Sequence, residues 1–108
     1  MENRLIFDAL SPISVPIAYQ EYRGSESTYI RFFYLPKVGF NADNDSQYST
    51  NHIQIDVFTP YDPTSLASDV KEYMKLAGFK KNFEHENYET DTKLFHYILR
   101  FWIIKEEI

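Results

Sequence analysis

Apolar and polar positions alternate most cleanly over HIQIDVF, His52 to Phe58, where Ile53, Ile55 and Val57 fall on one side and His52, Gln54 and Asp56 on the other. A period of two marks a strand with one buried face. The period then changes: Leu66, Val70, Tyr73, Met74 and Ala77 recur at i, i+4, i+7, i+8 and i+11, which gathers them on one face of a helix. Asp62 is a good cap for that helix, Pro63 suits its first position, and Gly78 ends it in the C′ position. Leu5, Ile6, Ala9 and Leu10 predict a short amphipathic helix over residues 2–10, which Pro12 and Pro16 prevent from continuing. VPIAYQEY (15–22) and TYIRFFYL (28–35) read as two strands turned at Arg23-Gly24-Ser25, the pattern of a hairpin. Residues 79–84 read as a short strand and residues 94–104 as a long one. In the latter, Phe95, Tyr97, Leu99, Phe101 and Ile103 lie opposite His96, Ile98, Arg100 and Trp102.

The element order is therefore α-β-β-β-α-β-β, with one long interruption. Pro36 to Thr50 collects Pro, Gly, Asn, Asp and Ser, the composition of a loop, and residues 37–50 are expected to be mobile and to order on contact with a partner. One strongly apolar face per strand favours an α+β domain: an antiparallel or mixed sheet of about four to five strands with two helices packed on one face. A length of 108 residues fits a single domain over 1–108, and 44% apolar residues supply its core without disulfides or a structural metal.

Charge and composition narrow the function classes. Eleven basic residues against sixteen acidic ones give a net charge of -5, and no basic run exceeds Lys80-Lys81. A surface that neutralises phosphates needs a basic stripe, so direct or sequence-specific nucleic-acid binding is not expected. Cysteine is absent, which removes thiolate metal sites and cysteine nucleophiles together. The opening MENRLIFDALSP lacks the apolar run of a signal peptide, and no segment approaches the roughly 20 apolar residues that span a bilayer. Synthesis in the cytoplasm without membrane association is the expectation.

The acidic stretch FEHENYETD, 83–91, is the first candidate for chemistry. Its Glu84, His85, Glu86, Glu89 and Asp91 match neither a helical H-E-x-x-H nor a calcium loop, so it reads as a solvated acidic turn. His52 and Asp56 share a strand face but lie about 13 Å apart and cannot touch. His96 has no partner identifiable from sequence. There is no G-x-S-x-G elbow, and glycines at 24, 39 and 78 cannot build a phosphate loop. Neither enzymatic activity nor a cofactor or metal is expected; a metal-dependent hydrolase using Glu84, His85 and Glu89 is the outlying alternative. Nine Tyr and nine Phe are many for so small a chain. Tyr29, Phe32, Phe33 and Tyr34 have the makings of a base-stacking platform, but without a basic groove they read as core and interface packing. Aromatic residues are enriched in interface cores, which points to an oligomer or a large protein partner.

Several pieces then fall in a recognisable order: Val15-Pro16-Ile17-Ala18, Thr28-Tyr29-Ile30, Ile53-Gln54-Ile55-Asp56-Val57, Val70-Lys71-x-x-Met74 leading to Gly78-Phe79, and Tyr88-Glu89-x-Asp91-Thr92 followed by His96 and Arg100-Phe101. In these the chain resembles the small tail-completion and tail-terminator (head-tail joining) proteins of long-tailed phages and prophages of Gram-positive bacteria. The resemblance implies a virion structural protein of α+β fold that assembles as a ring, commonly a hexamer, to cap the tail tube and meet the head. The implied partners are the chain itself, the tail tube protein and a head connector or neck protein. The implied location is the tail or neck of the virion, after synthesis in the host bacterial cytoplasm. A head-completion or connector-stopper protein is the neighbouring alternative; a stand-alone acidic protein-binding module is the alternative from a different class. A ring contact needs two different patches on each subunit. Composition puts one on the long loop, at Val38, Phe40, Asp43, Asp45 and Tyr48, and the other on the acidic turn, at Glu84, Glu86, Tyr88, Glu89 and Asp91.

Overall fold

The computed structural model describes the backbone of residues 3–36 and 48–106 and the side chains of 3–36 and 50–104. Along the chain run α1 (Asn3–Leu10), β1 (Ile17–Tyr19), β2 (Tyr29–Tyr34), β3 (Tyr48–Thr59), α2 (Thr64–Leu76), β4 (Lys80–Glu89) and β5 (Leu94–Glu106). The strands form one mixed sheet in the order β1-β2-β3-β5-β4, with β1 parallel to β2 and the other pairs antiparallel. This is the α+β architecture that the periodicities predict, with the helices on one face.

Local chemistry explains why α2 starts and stops where it does. Pro63 takes the N-cap position, and just ahead of it the Asp62 carboxylate accepts the Thr64 hydroxyl at 2.7 Å and the Thr64 N–H at 3.0 Å, a donor that the first turn leaves free. At the other end Gly78 takes φ +96°. Its N–H reaches the Lys75 carbonyl at 3.0 Å, and the Phe79 N–H reaches the Met74 carbonyl at 3.0 Å. These two bonds make a Schellman motif, and buried Phe79 and Met74 supply its apolar contact.

The core forms where the alternating strands meet the helices. Ile30 and Phe32, Ile53, Ile55 and Val57, and Leu99 and Phe101 point to the helix side, where Ile6 and Leu10 of α1 and Ala67, Val70 and Met74 of α2 close over them. On α1, Phe7 meets Phe32 edge to face at 5.2 Å, and Asn3 accepts the Tyr34 hydroxyl at 2.7 Å. Burial raises the pKa of that phenol.

Three expectations are corrected. First, β1 and β2 are not a hairpin: Ile17 pairs with Ile30 and Tyr19 with Phe32 in parallel. Gln20, with φ 67°, turns the chain out of the sheet. A strand of three residues is only about 10 Å long, so residues 20–28 can return the chain without a helical crossover. Gly24 is needed on that return, because a Cβ there would collide with the Tyr22 ring. Second, residues 48–50 are not loop but the beginning of β3, paired with residues 104–106 of β5; residues 37–47 of the expected loop lie outside the described residues. Third, the acidic stretch is mostly strand. β4 runs continuously from Lys80 to Glu89 with a bulge between Lys81 and Phe83, and the turn shrinks to Thr90–Lys93. An edge strand has one side open to water, so it tolerates charges, and those charges discourage further strands from pairing.

Candidate interaction surface

Strand register sets the composition of the sheet face that the helices leave uncovered. Neighbouring positions form rows across it: Tyr29, Phe58, His96 and Asn87; Arg31, Asp56, Ile98 and His85; Phe33, Gln54, Arg100 and Phe83. His52, Trp102 and Lys80 form a further row at one end. Because side chains alternate, a polar residue between two core residues must emerge here. The result is a face of mixed aromatic and cationic groups on a chain that is acidic overall.

At its centre lies a closed polar network. Asp56 is 0% exposed, yet every oxygen has partners. Arg31 donates through Nε at 3.0 Å and pairs through Nη2 at 2.8 Å with Oδ2, while Gln54 Nε2 and His96 Nε2 each lie 2.9 Å from Oδ1. Arg100 Nε donates to Gln54 Oε1 at 3.0 Å, and His96 Nδ1 stands 3.4 Å from Glu89 Oε2. Burial pushes the Asp56 pKa up, but the hydrogen bonds from His96, Gln54 and Arg31 outweigh it and hold the carboxylate below its ordinary value. No buried side-chain polar atom among the described residues lacks a partner. An Asp–His pair is a common element of acid/base sites; here both carboxylate oxygens are occupied and Asp56 is sealed from solvent, His96 keeps 13% of its side chain exposed, and the network ties β2, β3 and β5 together.

Aromatic rings flank the network. Tyr22, Tyr29, Phe58 and His96 stack in sequence at centroid distances of 4.3, 4.8 and 4.2 Å. Burial raises the Tyr29 pKa, partly offset by the nearby Arg31 charge. Cations sit over rings of this face, one of them in the stack: Arg31 5.2 Å from Phe58, Arg100 4.8 Å from Phe83 and Lys80 5.3 Å from Trp102. Arg100 and Phe83 are both exposed.

Of the residues expected at a partner interface, Val38, Phe40, Asp43 and Asp45 lie outside the described residues. Tyr48 opens β3 opposite Glu106. The second patch is divided by the pleat of β4. Glu84 turns inward to α2, where Lys81, Tyr97 and Lys71, the last at 3.2 Å, all donate to its carboxylate. Those bonds, Lys81 and Tyr97 foremost, lower its pKa to about 2, and the same contact pushes the Tyr97 phenol up to about 12. Glu86 and Tyr88 stay exposed on the same side further along, Asp91 is exposed in the turn, and Glu89 faces His96. No three His, Asp or Glu side chains among the described residues converge as a metal site. The sequence missed the Asp56–His96 contact, although the alternation of β3 and β5 had already put both on one face.

Fold and surface together define the class: an α+β domain with helices on one side of a mixed sheet and an aromatic, cationic surface on the other. No protein-family model matches the chain, and no curated protein matches it. One solved structure, 13% identical, aligns with 100% of this chain and 97% of its own at a TM-score of 0.56. At that identity the likeness shows the fold alone. No helix among the described residues is long and apolar enough to cross a membrane.

Proposed function

We propose that this chain is a non-enzymatic structural subunit of a phage or prophage tail, a tail terminator or tail-completion protein that forms a ring on the tail tube and joins it to the head. The observation that supports this reading best is the uncovered sheet face. The hydrophobic core is complete on the helix side, yet Tyr22, Tyr29, Phe33, Phe83 and Trp102 remain on the other side with Arg31, Arg100 and Lys80 among them. Aromatic residues and arginine are the groups that interface cores favour, and they give rigid contact area at low entropic cost. The resemblance of ordered segments supplies the identity of the partner, a tube end.

The test is electron microscopy of tail tubes incubated with the purified protein. The reading expects a ring of density on one end of each tube; tubes whose ends stay bare at saturating protein would refute it.

A further inference from the structure

A cavity of about 340 Å³ opens beside the edge of the sheet, between α2 and the start of β4. Its apolar walls come from Phe79 and Phe101, 3% and 2% exposed, and its rim from Lys71, Lys75, Lys80 and Lys81. Four of the chain's eleven basic residues thus gather at one small opening on an acidic protein. Glu84 pairs with Lys71 and Lys81. Lys75 and Lys80 are exposed and have no carboxylate partner among the described residues. A site of this kind suits an aromatic or aliphatic group flanked by carboxylates, and its volume, near the low end of ligand pockets, suits one or two side chains.

The same chain carries such a group at the far end of β4. Tyr88 is 47% exposed, propped edge to face against Phe95 at 5.0 Å. Exposed Glu86 lies on the same side of the strand and exposed Asp91 in the turn beyond it, while Glu89 points to the other face, toward His96. The tip is built rather than loose: Lys93, with φ 59°, closes the turn, its N–H reaches the Glu89 carbonyl at 2.8 Å, and the Thr92 hydroxyl donates to the Glu89 carboxylate at 3.0 Å. From Lys81 to Tyr88 the strand extends about 23 Å, so a chain cannot place this tip in its own cavity. Another copy can.

We infer that copies of this chain associate head to tail, the acidic Glu86–Asp91 hairpin of one copy seating Tyr88 in the lysine-rimmed cavity of the next. The two patches differ, so the contact is heterologous and repeats around a closed ring or along a filament. It deepens the ring-subunit reading by naming where neighbouring subunits meet, and it rests on that reading only for its setting in a tail.

Sedimentation velocity on the full chain tests it, with Lys75→Glu/Lys80→Glu reversing the cavity rim and Glu86→Lys/Asp91→Lys reversing the hairpin. All four positions are exposed, so folding should persist, as circular dichroism would verify. The wild type should associate with rising concentration, less so in high salt. Each double variant should bind itself about a hundredfold more weakly, as loss of paired interface charges entails. An equimolar mixture of the two should associate again, because each then offers what the other needs. Tyr88→Ala should weaken association by about thirtyfold, the effect of losing a central aromatic anchor. A wild type that stays monomeric at millimolar concentration, variants that associate like the wild type, or a mixture that does not recover would each overturn the inference. Unaltered association in the variants would leave the ring reading intact with another interface. Protein that associates as described but never caps tubes would remove the ring reading instead.

Discussion

Single side chains carry more of this fold than their positions in the sequence announce. Asp56 is one of three polar residues alternating with isoleucine and valine on β3, and nothing local separates it from Gln54 or His52. The register makes the difference: it brings Arg31 from β2 and, from 40 residues away, His96 from β5 to the same carboxylate. A window of a few residues contains the face on which His96 lies but not its partner. Because Arg31, Gln54 and His96 would all lose their shared buried acceptor, Asp56→Ala should cost about 3 kcal/mol, measured as a loss in denaturant unfolding. Glu84 makes a second case with a pH signature. Its folded pKa, about 2, lies below the ordinary 4.5, so its bonds to Lys81, Tyr97 and Lys71 stabilise the fold fully above about pH 4.5, and this contribution fades as the pH falls toward 2. Glu84→Gln should therefore be less stable than the wild type at pH 7 and nearly equal to it close to pH 2. At the alkaline end the Tyr97 pKa, raised to about 12 from 10, makes its contribution full below pH 10 and lost between 10 and 12.

At the scale of elements, α2 was the most legible because all its signals are local. Asp62, Pro63, the apolar stripe and Gly78 each act within a turn or two, and the observed cap and Schellman motif use those residues. Gly78→Ala should destabilise the protein by about 1–2 kcal/mol through the positive φ alone, since its Cβ would meet only Ile103 at an ordinary 3.6 Å; a shift of the thermal midpoint reports it. Strand pairing was less legible. Two strands separated by a turn signal favour a hairpin in sequence terms, but Gln20 takes a left-handed conformation and β1 pairs in parallel. The length of β4 was hidden for a different reason. Acidic residues lower strand propensity, and only pairing with the long apolar β5 on one side holds Glu84, Glu86 and Glu89 in an extended edge.

At the scale of the whole molecule, the one-sided placement of the helices was predictable from strand alternation, whereas the organisation of the other face was not. Alternation identified which residues emerge there. It did not show that a buried ion network would hold them in place, nor that Arg100 and Lys80 would lie across the Phe83 and Trp102 rings. That organisation underlies the assembly reading, since a rigid aromatic face loses little entropy on binding. Phe83→Ala with Trp102→Ala should leave the far-ultraviolet spectrum unchanged and weaken binding to tube ends by at least about tenfold, the scale of losing interface aromatics; a binding curve against purified tubes gives the answer. Lys75 and Glu86 lie on the helix side instead and belong to the inferred subunit contact, so changes there should alter oligomer size. The proposed capping role is tested most directly by the length of tail tubes growing from purified tube subunits, followed with and without this protein. Growth should stop at capped ends when the protein is added; tubes that lengthen at the same rate in its presence would contradict a capping role.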